Sequence, residues 1–357
     1  PPKNILIRMP NWLGDAVMAT PLLDELRSTF PHARLTLMCQ SNIASLFEND
    51  VAIDEVFSYK KSSGWIRGHR PDLIEELRFG KYDLGILTTN SFSSAWTFFM
   101  GKVKNRLGYA TNFRSLLLNQ AVPFPAKKEQ QHQVLTYKML LEPLGISVSA
   151  KEPRLYLSPE EIQAAKLKLE QYGLIGEKKT LIGINPGAAY GSAKCWLPDR
   201  FIAVSQRLLE DPNTYLVYFG DSAGAPLVKT IFDALDSNRV INLAGKTSIR
   251  ELIALIDCCT VFLTNDSGPM HIAAALKVPL VALFGSTSAI KTSPYNHGTI
   301  IHKHVSCSPC YKRTCPIDFR CMTRISVDEV YDAVKALTQQ RRCCSGALPT
   351  IGASHAH

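Results

Sequence analysis

CTVFLTNDSGPMHIAAALKVPLVALF, residues 259–284, carries the pattern from which the fold follows. Cys259–Thr264 is a short apolar run, the composition of a buried strand. Asn265-Asp266-Ser267-Gly268 is turn chemistry, and Pro269 suits the first turn of a helix. Pro269–Leu276 then reads as an apolar helix and Val278–Phe284 as a second buried strand. Two strands joined through a helix run parallel, so this is one α/β unit.

The same rhythm extends outward in both directions. Upstream, Thr180–Asn185 and Tyr215–Phe219 read as strands, and Pro198–Glu210, Ala223–Leu235 and Ser248–Ile256 as helices. The first half repeats it: strand Asn4–Arg8, helix Asp15–Phe30, strands Arg34–Cys39 and Asp83–Leu87, and helix Glu129–Leu144 ended by Gly145. With 357 residues, this suggests two doubly wound α/β domains, over residues 1–150 and 179–338, around a 151–178 linker with Pro153 and Pro159. A last helix covers Ser326–Thr338, and the 339–357 tail, lacking hydrophobic period, is expected to be disordered. Two such domains face each other with the carboxyl ends of their strands, where ligands bind in this class of fold.

Hydrophobic residues make up 46% and charged ones 20%, which excludes a disordered chain, a collagen or a coiled coil as the main theme. The net charge of +9 favours anionic partners. No apolar run approaches the roughly 20 residues of a spanning helix. Pro1–Asn4 leads straight into a strand without a basic head and apolar middle, so the expected setting is a reducing cytoplasm with free thiols.

Chemistry concentrates in loops at strand ends. Pro10-Asn11-Trp12-Leu13-Gly14-Asp15 follows the first strand without a G-x-G-x-x-G fingerprint. Gly14 lets backbone approach a ligand. Asp15 is either a helix cap or a carboxylate that takes a proton from a substrate hydroxyl. Asn185-Pro186-Gly187 opens a Gly-rich loop ending in Lys194-Cys195-Trp196; its N–H groups and the Lys194 charge suit a phosphate, unless Lys194 is merely solvated. Asp266-Ser267-Gly268 at a helix start offers a seat for a diphosphate. His271, one turn in, is either a ligand contact or a core histidine. Gly285-Ser286-Thr287 and Gly220-Asp221 follow two further strands with the same donors. Together these loops indicate a nucleotide-diphosphate site.

No acidic residue lies between Asp83 and Glu129, while Lys102, Lys104, Arg106, Arg114, Lys127 and Lys128 do, beside Trp96, Phe98, Phe99 and Phe113. A solvated face is the plain reading; an anionic, partly lipidic partner is the sharper one, and single-stranded nucleic acid would leave a similar signature. Cys307, Cys310, Cys315 and Cys321 have the spacing C-x2-C-x4-C-x5-C, which fits either a structural zinc or a loop with free thiols.

Trp12-Leu13-Gly14-Asp15, Asn185-Pro186-Gly187-Ala188 with Lys194-x-Trp196, Asn265–His271, Phe284–Thr287 and Cys307-x-Pro309-Cys310-x-x-Arg313-x-Cys315-Pro316 together resemble the lipopolysaccharide heptosyltransferases of glycosyltransferase family 9. The likeness runs from about residue 4 to residue 335 and is nearest to the branch whose acceptor already carries a heptose. It implies a GT-B fold of two Rossmann-like domains, with the acceptor on the first and the sugar nucleotide on the second. It implies inverting, metal-independent transfer of L-glycero-D-manno-heptose from ADP-heptose to heptosyl-Kdo2-lipid A, with no cofactor needed for catalysis. Asp15 then stands at the general-base position. Donor contacts fall on Gly14, Asn185, Pro186, Gly187, Lys194, Trp196, Gly220, Asp221 (for the ribose), Asp266, Ser267, Gly268, His271, Gly285, Ser286 and Thr287. Acceptor contacts fall on Trp12, Lys102, Lys104, Arg106 and Arg114. The expected place is the cytoplasmic face of the inner membrane, with the protein peripheral and no nucleic acid as partner. Alternatives are another heptosyltransferase of the family, a GT-B nucleotide-sugar epimerase, and a non-catalytic two-domain ligand-binding protein. No nucleic-acid recognition module is visible.

Overall fold

The computed structural model describes residues 1–60, 71–126, 129–174, 176 and 179–345. Its first half builds six parallel strands: β1 (Asn4–Arg8), β2 (Arg34–Gln40), β3 (Glu55–Tyr59), β4 (Leu84–Leu87), β5 (Asn105–Tyr109) and β6 (Gln120–Val122). Its second half builds six more: β7 (Thr180–Asn185), β8 (Thr214–Tyr218), β9 (Val240–Asn242), β10 (Val261–Asn265), β11 (Leu280–Phe284) and β12 (Thr299–His302). The orders are β3-β2-β1-β4-β5-β6 and β12-β11-β10-β7-β8-β9, the same doubly wound arrangement twice. The two-sheet GT-B architecture expected from the sequence is therefore present.

Direction reverses between β1 and β4 in one sheet and between β7 and β10 in the other. Crevices open at such points, beyond the carboxyl ends of the strands. Asp15 follows β1 and Asp266 follows β10, so each stands at a switch point. The central strands β7, β10 and β11 are buried along their whole length, which is why they read as unbroken apolar runs.

The helix expected over Asp15–Phe30 is two helices, Leu13–Met18 and Thr20–Thr29. Pro21 has no N–H to offer the Val17 carbonyl, and the Thr20 hydroxyl donates to it instead at 2.8 Å. The expected Glu129–Leu144 helix shrinks to Gln133–Met139, followed by a short turn over Glu142–Leu144 that ends at Gly145 with φ 76°. Residues 151–178, expected to be a linker, are partly helical. They hold the helix Pro159–Gln171, whose start is closed by a reciprocal Ser158–Glu161 capping box. Glu161 also receives two hydrogen bonds of 2.6 Å from Arg250 and one of 3.0 Å from Asn49, tying this helix to both halves. The final helix runs Val327–Ser345, past the expected end at Thr338 and into the tail, and residues 346–357 lie outside the described residues.

One apolar cluster runs through both halves, from Ile5 and Val17 to Phe262 and Ile272. Its bridge is helix Leu13–Met18 packed on helix Gly268–Ala275. Two glycines permit that approach. A Cβ at Gly14 would stand 2.6 Å from His271 Cδ2, and one at Gly268 would stand 3.0 Å from Leu13 Cδ2. Gly14→Ala is therefore expected to force the helices apart, lowering stability by about 1–3 kcal/mol and impairing any reaction that needs both switch points. Thermal unfolding together with turnover checks this.

Candidate functional site

The two switch-point helices bring Asp15 toward the loops of the second sheet. Asp15 lies in the first turn of Leu13–Met18, partly open to the cleft but enclosed by protein on most sides. Burial raises its pKa from 3.8 to about 6; Lys194 opposes the rise, Asp266 adds to it, and the Tyr137 hydroxyl and Lys291 oppose it. At pH 7 the carboxyl is thus mostly ionised but close to its titration, the state suited to a general base.

Opposite it, Lys194 Nζ pairs with buried Asp266 at 2.6 Å, and the Thr287 hydroxyl donates to the same carboxylate oxygen at 2.5 Å. The Lys194 ammonium also stands 5.1 Å from the Tyr190 ring centre. Asn265 pins the loop that carries Lys194 at both ends. Its amide donates to the Pro186 carbonyl at 2.7 Å and its oxygen accepts the Trp196 N–H at 3.0 Å. Asn185 donates to the Gly187 carbonyl at 3.0 Å and to Ser267 Oγ at 3.2 Å. Helix Gly268–Ala275 begins at Ser267 with no side chain capping it, so its first-turn N–H groups and dipole are available to an anion. Ser286 Oγ is buried without a partner in the adjoining loop. Space above Gly187 is open.

Several expected donor residues have structural duties. Trp196 is buried with its indole N–H on the Ile325 carbonyl at 3.2 Å, so only its backbone is left to the candidate phosphate loop. Gly285 lets the chain pack on Met322 Sδ, 2.6 Å from where a Cβ would stand. Gly220 accepts the Gly245 N–H at 2.9 Å. Asp221 caps the next turn through Gly224 N–H at 2.7 Å and remains exposed at the end of β8. His271 is buried, and burial lowers its pKa to about 4, so at neutral pH it carries no charge for a diphosphate and can offer only an N–H.

The basic residues assigned to the acceptor do not meet at the cleft. Lys102 and Lys104 precede β5 at the amino-terminal edge of the first sheet, away from Asp15. Lys104 is paired there with Asp83 at 2.9 Å beside a cavity of about 610 Å³. Arg106 turns its guanidinium to the Val103 and Leu117 carbonyls. Arg114 is fully buried, donating to the Tyr109 and Thr89 carbonyls and to Asn90. Charge in a sequence does not reveal that a guanidinium is consumed by backbone. Trp12, exposed in the loop before Asp15, is the acceptor candidate that the fold leaves at the cleft.

The zinc expectation is also corrected. Cys307, Cys310, Cys315 and Cys321 line one small cavity with Ala193 and Ser286, but among the described residues no three His, Cys, Asp or Glu side chains converge to hold a metal. Cys321 is buried against Gly285. The segment instead braces the loops that carry Ala193 and Ser286. The Ser286 carbonyl accepts the Cys310 and Tyr311 N–H groups, and the Arg313 carbonyl accepts that of Ala193.

Tyr137 was not among the expected site residues. Its hydroxyl lies 3.5 Å from Asp15 Oδ1, across 122 positions of chain. A tyrosine on an apolar helix face gives no sequence signal of such a partner. Because this contact holds the Asp15 pKa down, Tyr137→Phe is expected to raise it and move the acid limb of the rate profile to higher pH; a pH–kcat series reads the shift. His132, at the start of the same helix, reaches the Ser293 carbonyl at 2.8 Å and packs its ring on Tyr295, 4.9 Å away. Tyr311 donates to Glu129, which also meets Lys291 at 3.4 Å, so this segment fastens the two halves beside the site.

Residues 70–319 match the family model for glycosyltransferase family 9 (heptosyltransferase). The chain is 30% identical over 341 residues to lipooligosaccharide heptosyltransferase 2 of Campylobacter jejuni, covering 94% of this chain and 99% of that one. It is 31% identical over 305 residues to lipopolysaccharide heptosyltransferase 2 of Escherichia coli K12, covering 82% and 86%. The structure of the E. coli ADP-heptose LPS heptosyltransferase II superposes with a TM-score of 0.80 at 27% identity, over 95% of this chain and 99% of that one.

Proposed function

Because the chain belongs to glycosyltransferase family 9, the heptosyltransferases, we propose that it moves L-glycero-D-manno-heptose from ADP-heptose to the heptosyl-Kdo2-lipid A core of lipopolysaccharide. The names of its relatives support donor and acceptor class. The observation that carries the reading is the facing of Asp15, a carboxylate with pKa about 6, by Lys194 and an uncapped helix start on the other domain.

An acceptor hydroxyl attacks the anomeric carbon of heptose while the bond from that carbon to the diphosphate oxygen breaks. Asp15 takes the hydroxyl proton, and ADP leaves with the bonding pair. One displacement of this kind inverts the anomeric centre. Charge grows on the departing diphosphate, and pre-placed donors stabilise it there. Lys194 has three N–H donors to share between Asp266 and a phosphate, and the N–H groups of Gly268 and Met270 add to it. These groups take the part that a divalent cation plays elsewhere, so transfer is expected to need no metal. Exposed Asp221, with one oxygen on Gly224, has its second for the ribose.

Among the described residues no helix is long and apolar enough to cross a membrane. A lipid-borne acceptor brings the protein to the cytoplasmic face of the inner membrane as a peripheral partner. The test is to mix the protein with ADP-heptose and heptosyl-Kdo2-lipid A in the presence of a chelator. Release of ADP with a mass gain of one heptose supports the proposal; donor consumption without that gain, or none at all, overturns it.

A further inference from the structure

The first domain carries an apolar face that catalysis does not use. Phe92, Trp96 and Phe99 follow one another along helix Phe92–Met100, with Phe92 and Trp96 stacked at 6.3 Å and Trp96 and Phe99 at 6.0 Å. Phe92 and Phe99 are exposed. The crossover between β5 and β6 packs on this helix through Ser115–Leu117 and presents Phe113 and Leu116, 97% and 95% exposed. Single exposed apolar residues are ordinary, but a contiguous cluster marks an interaction surface.

The loop is built to hold these side chains out. Asn112 and Phe113 both have left-handed backbone, φ 51° and 58°, which is unfavourable for a bulky residue. Arg114, between the two projecting side chains, is locked inward by Tyr109, Thr89 and Asn90. Asn112 donates to the Asn90 carbonyl at 2.7 Å, fastening the loop to the start of the aromatic helix. A rigid loop displaying Phe and Leu is suited to entering an apolar medium.

Charge selects the occupant. From Leu84 to Lys128 there is no carboxylate, exposed Lys102 follows the aromatic helix directly, and Arg106 stands 5.3 Å from the Phe99 ring centre, while Lys104 is paired with Asp83. Lys127 and Lys128 lie outside the described residues. Of the elements packed closely on the aromatic helix, only helix Pro71–Gly80 brings carboxylates, Asp72, Glu75 and Glu76. Aromatic and aliphatic groups with a basic flank match the interface of an anionic bilayer. The face also begins one loop from the base. β4, which leads into the aromatic helix, pairs with β1, which leads to Trp12 and Asp15.

We propose that the face of Phe92, Trp96, Phe99, Phe113 and Leu116 docks the protein onto an anionic lipid bilayer, so that an acceptor anchored there enters the cleft beside Trp12. The choice of a bilayer leans on the proposed lipid-linked acceptor; the exposure and charge of the face do not.

The test is co-sedimentation of the full chain with vesicles of phosphatidylethanolamine and phosphatidylglycerol, and with phosphatidylcholine vesicles. Phe113→Asp/Leu116→Asp is the variant, since both side chains are exposed and Asp tolerates left-handed backbone. Wild type is expected on the anionic vesicles and more weakly on the neutral ones. The double variant is expected to bind roughly tenfold or more weaker while transferring heptose normally to a deacylated, soluble acceptor. Equal binding by the two proteins, no binding by wild type, or a wild-type dimer that the variant abolishes without any vesicle binding would overturn the proposal. Failure of wild type to transfer heptose to the soluble acceptor would instead count against the enzymatic reading and leave the vesicle result standing.

Discussion

Asp15→Asn is expected to lower kcat by roughly 10²–10⁴-fold, the usual worth of a positioned general base, with ADP-heptose binding retained. Asn keeps the size of the side chain and its contact with Tyr137 but cannot take a proton. The same change is expected to stabilise the fold. Burial raises the Asp15 pKa from 3.8 to about 6, so the folded state holds its proton more tightly than the unfolded chain does. Keeping this carboxyl ionised therefore destabilises the native protein at neutral pH, by roughly 1–3 kcal/mol. That penalty is full above pH 6, shrinks as pH falls from about 6 to 3.8, and is gone below 3.8. The Asp15→Asn variant should thus melt higher than wild type at pH 7.5 and lose that advantage in acid. Parallel melts at the two pH values, with turnover, check both halves of the expectation.

Lys194→Ala has the second large effect, of opposite sign on stability. Lys194 and Asp266 meet at 2.6 Å with both side chains largely buried, and Thr287 is the other donor to that carboxylate oxygen. Removing the cation leaves a buried carboxylate without its charge partner, which costs about 3–5 kcal/mol in comparable pairs. In the proposed mechanism it also removes a donor from the departing diphosphate, and kcat/KM is expected to fall roughly 10²–10³-fold. The two effects separate in Lys194→Ala/Asp266→Asn. That double variant is expected to recover most of the melting temperature and none of the transfer rate. Recovery of transfer along with stability would place Lys194 in the fold alone.

The parts of the fold that were legible are those where one physical signal dominates. β7, β10 and β11 are wholly buried and therefore apolar without interruption. Strand β5 and the outer strands β3, β6, β9 and β12 were missed. Apart from β3 and β5 they have three or four residues, and none is buried along its whole length, so neither length nor periodicity marked them. Helix Phe92–Met100 was missed because its aromatic face stays exposed and leaves no polar stripe to set the period. At the candidate site, Asp15, Lys194 and Asp266 stand out in the sequence because each ends a strand-to-helix turn, where chemistry gathers in this fold. Tyr137, Asn265 and His132 owe their places to partners 122, 69 to 79 and 161 positions away, which turn chemistry cannot show. The side chains of Arg114 and Trp196 read as ligand contacts for the converse reason, since a buried side chain occupied with backbone carbonyls looks in the sequence like one free to bind a ligand.

The most direct measurement of the account is the pH dependence of single-turnover heptose transfer, with saturating ADP-heptose and acceptor, in wild type and in Asp15→Asn. Wild type should rise through an acid limb near pH 6 to a plateau, and the variant should be slow and lack that limb. The same acid limb at undiminished rate in Asp15→Asn would contradict the assignment of Asp15 as the base.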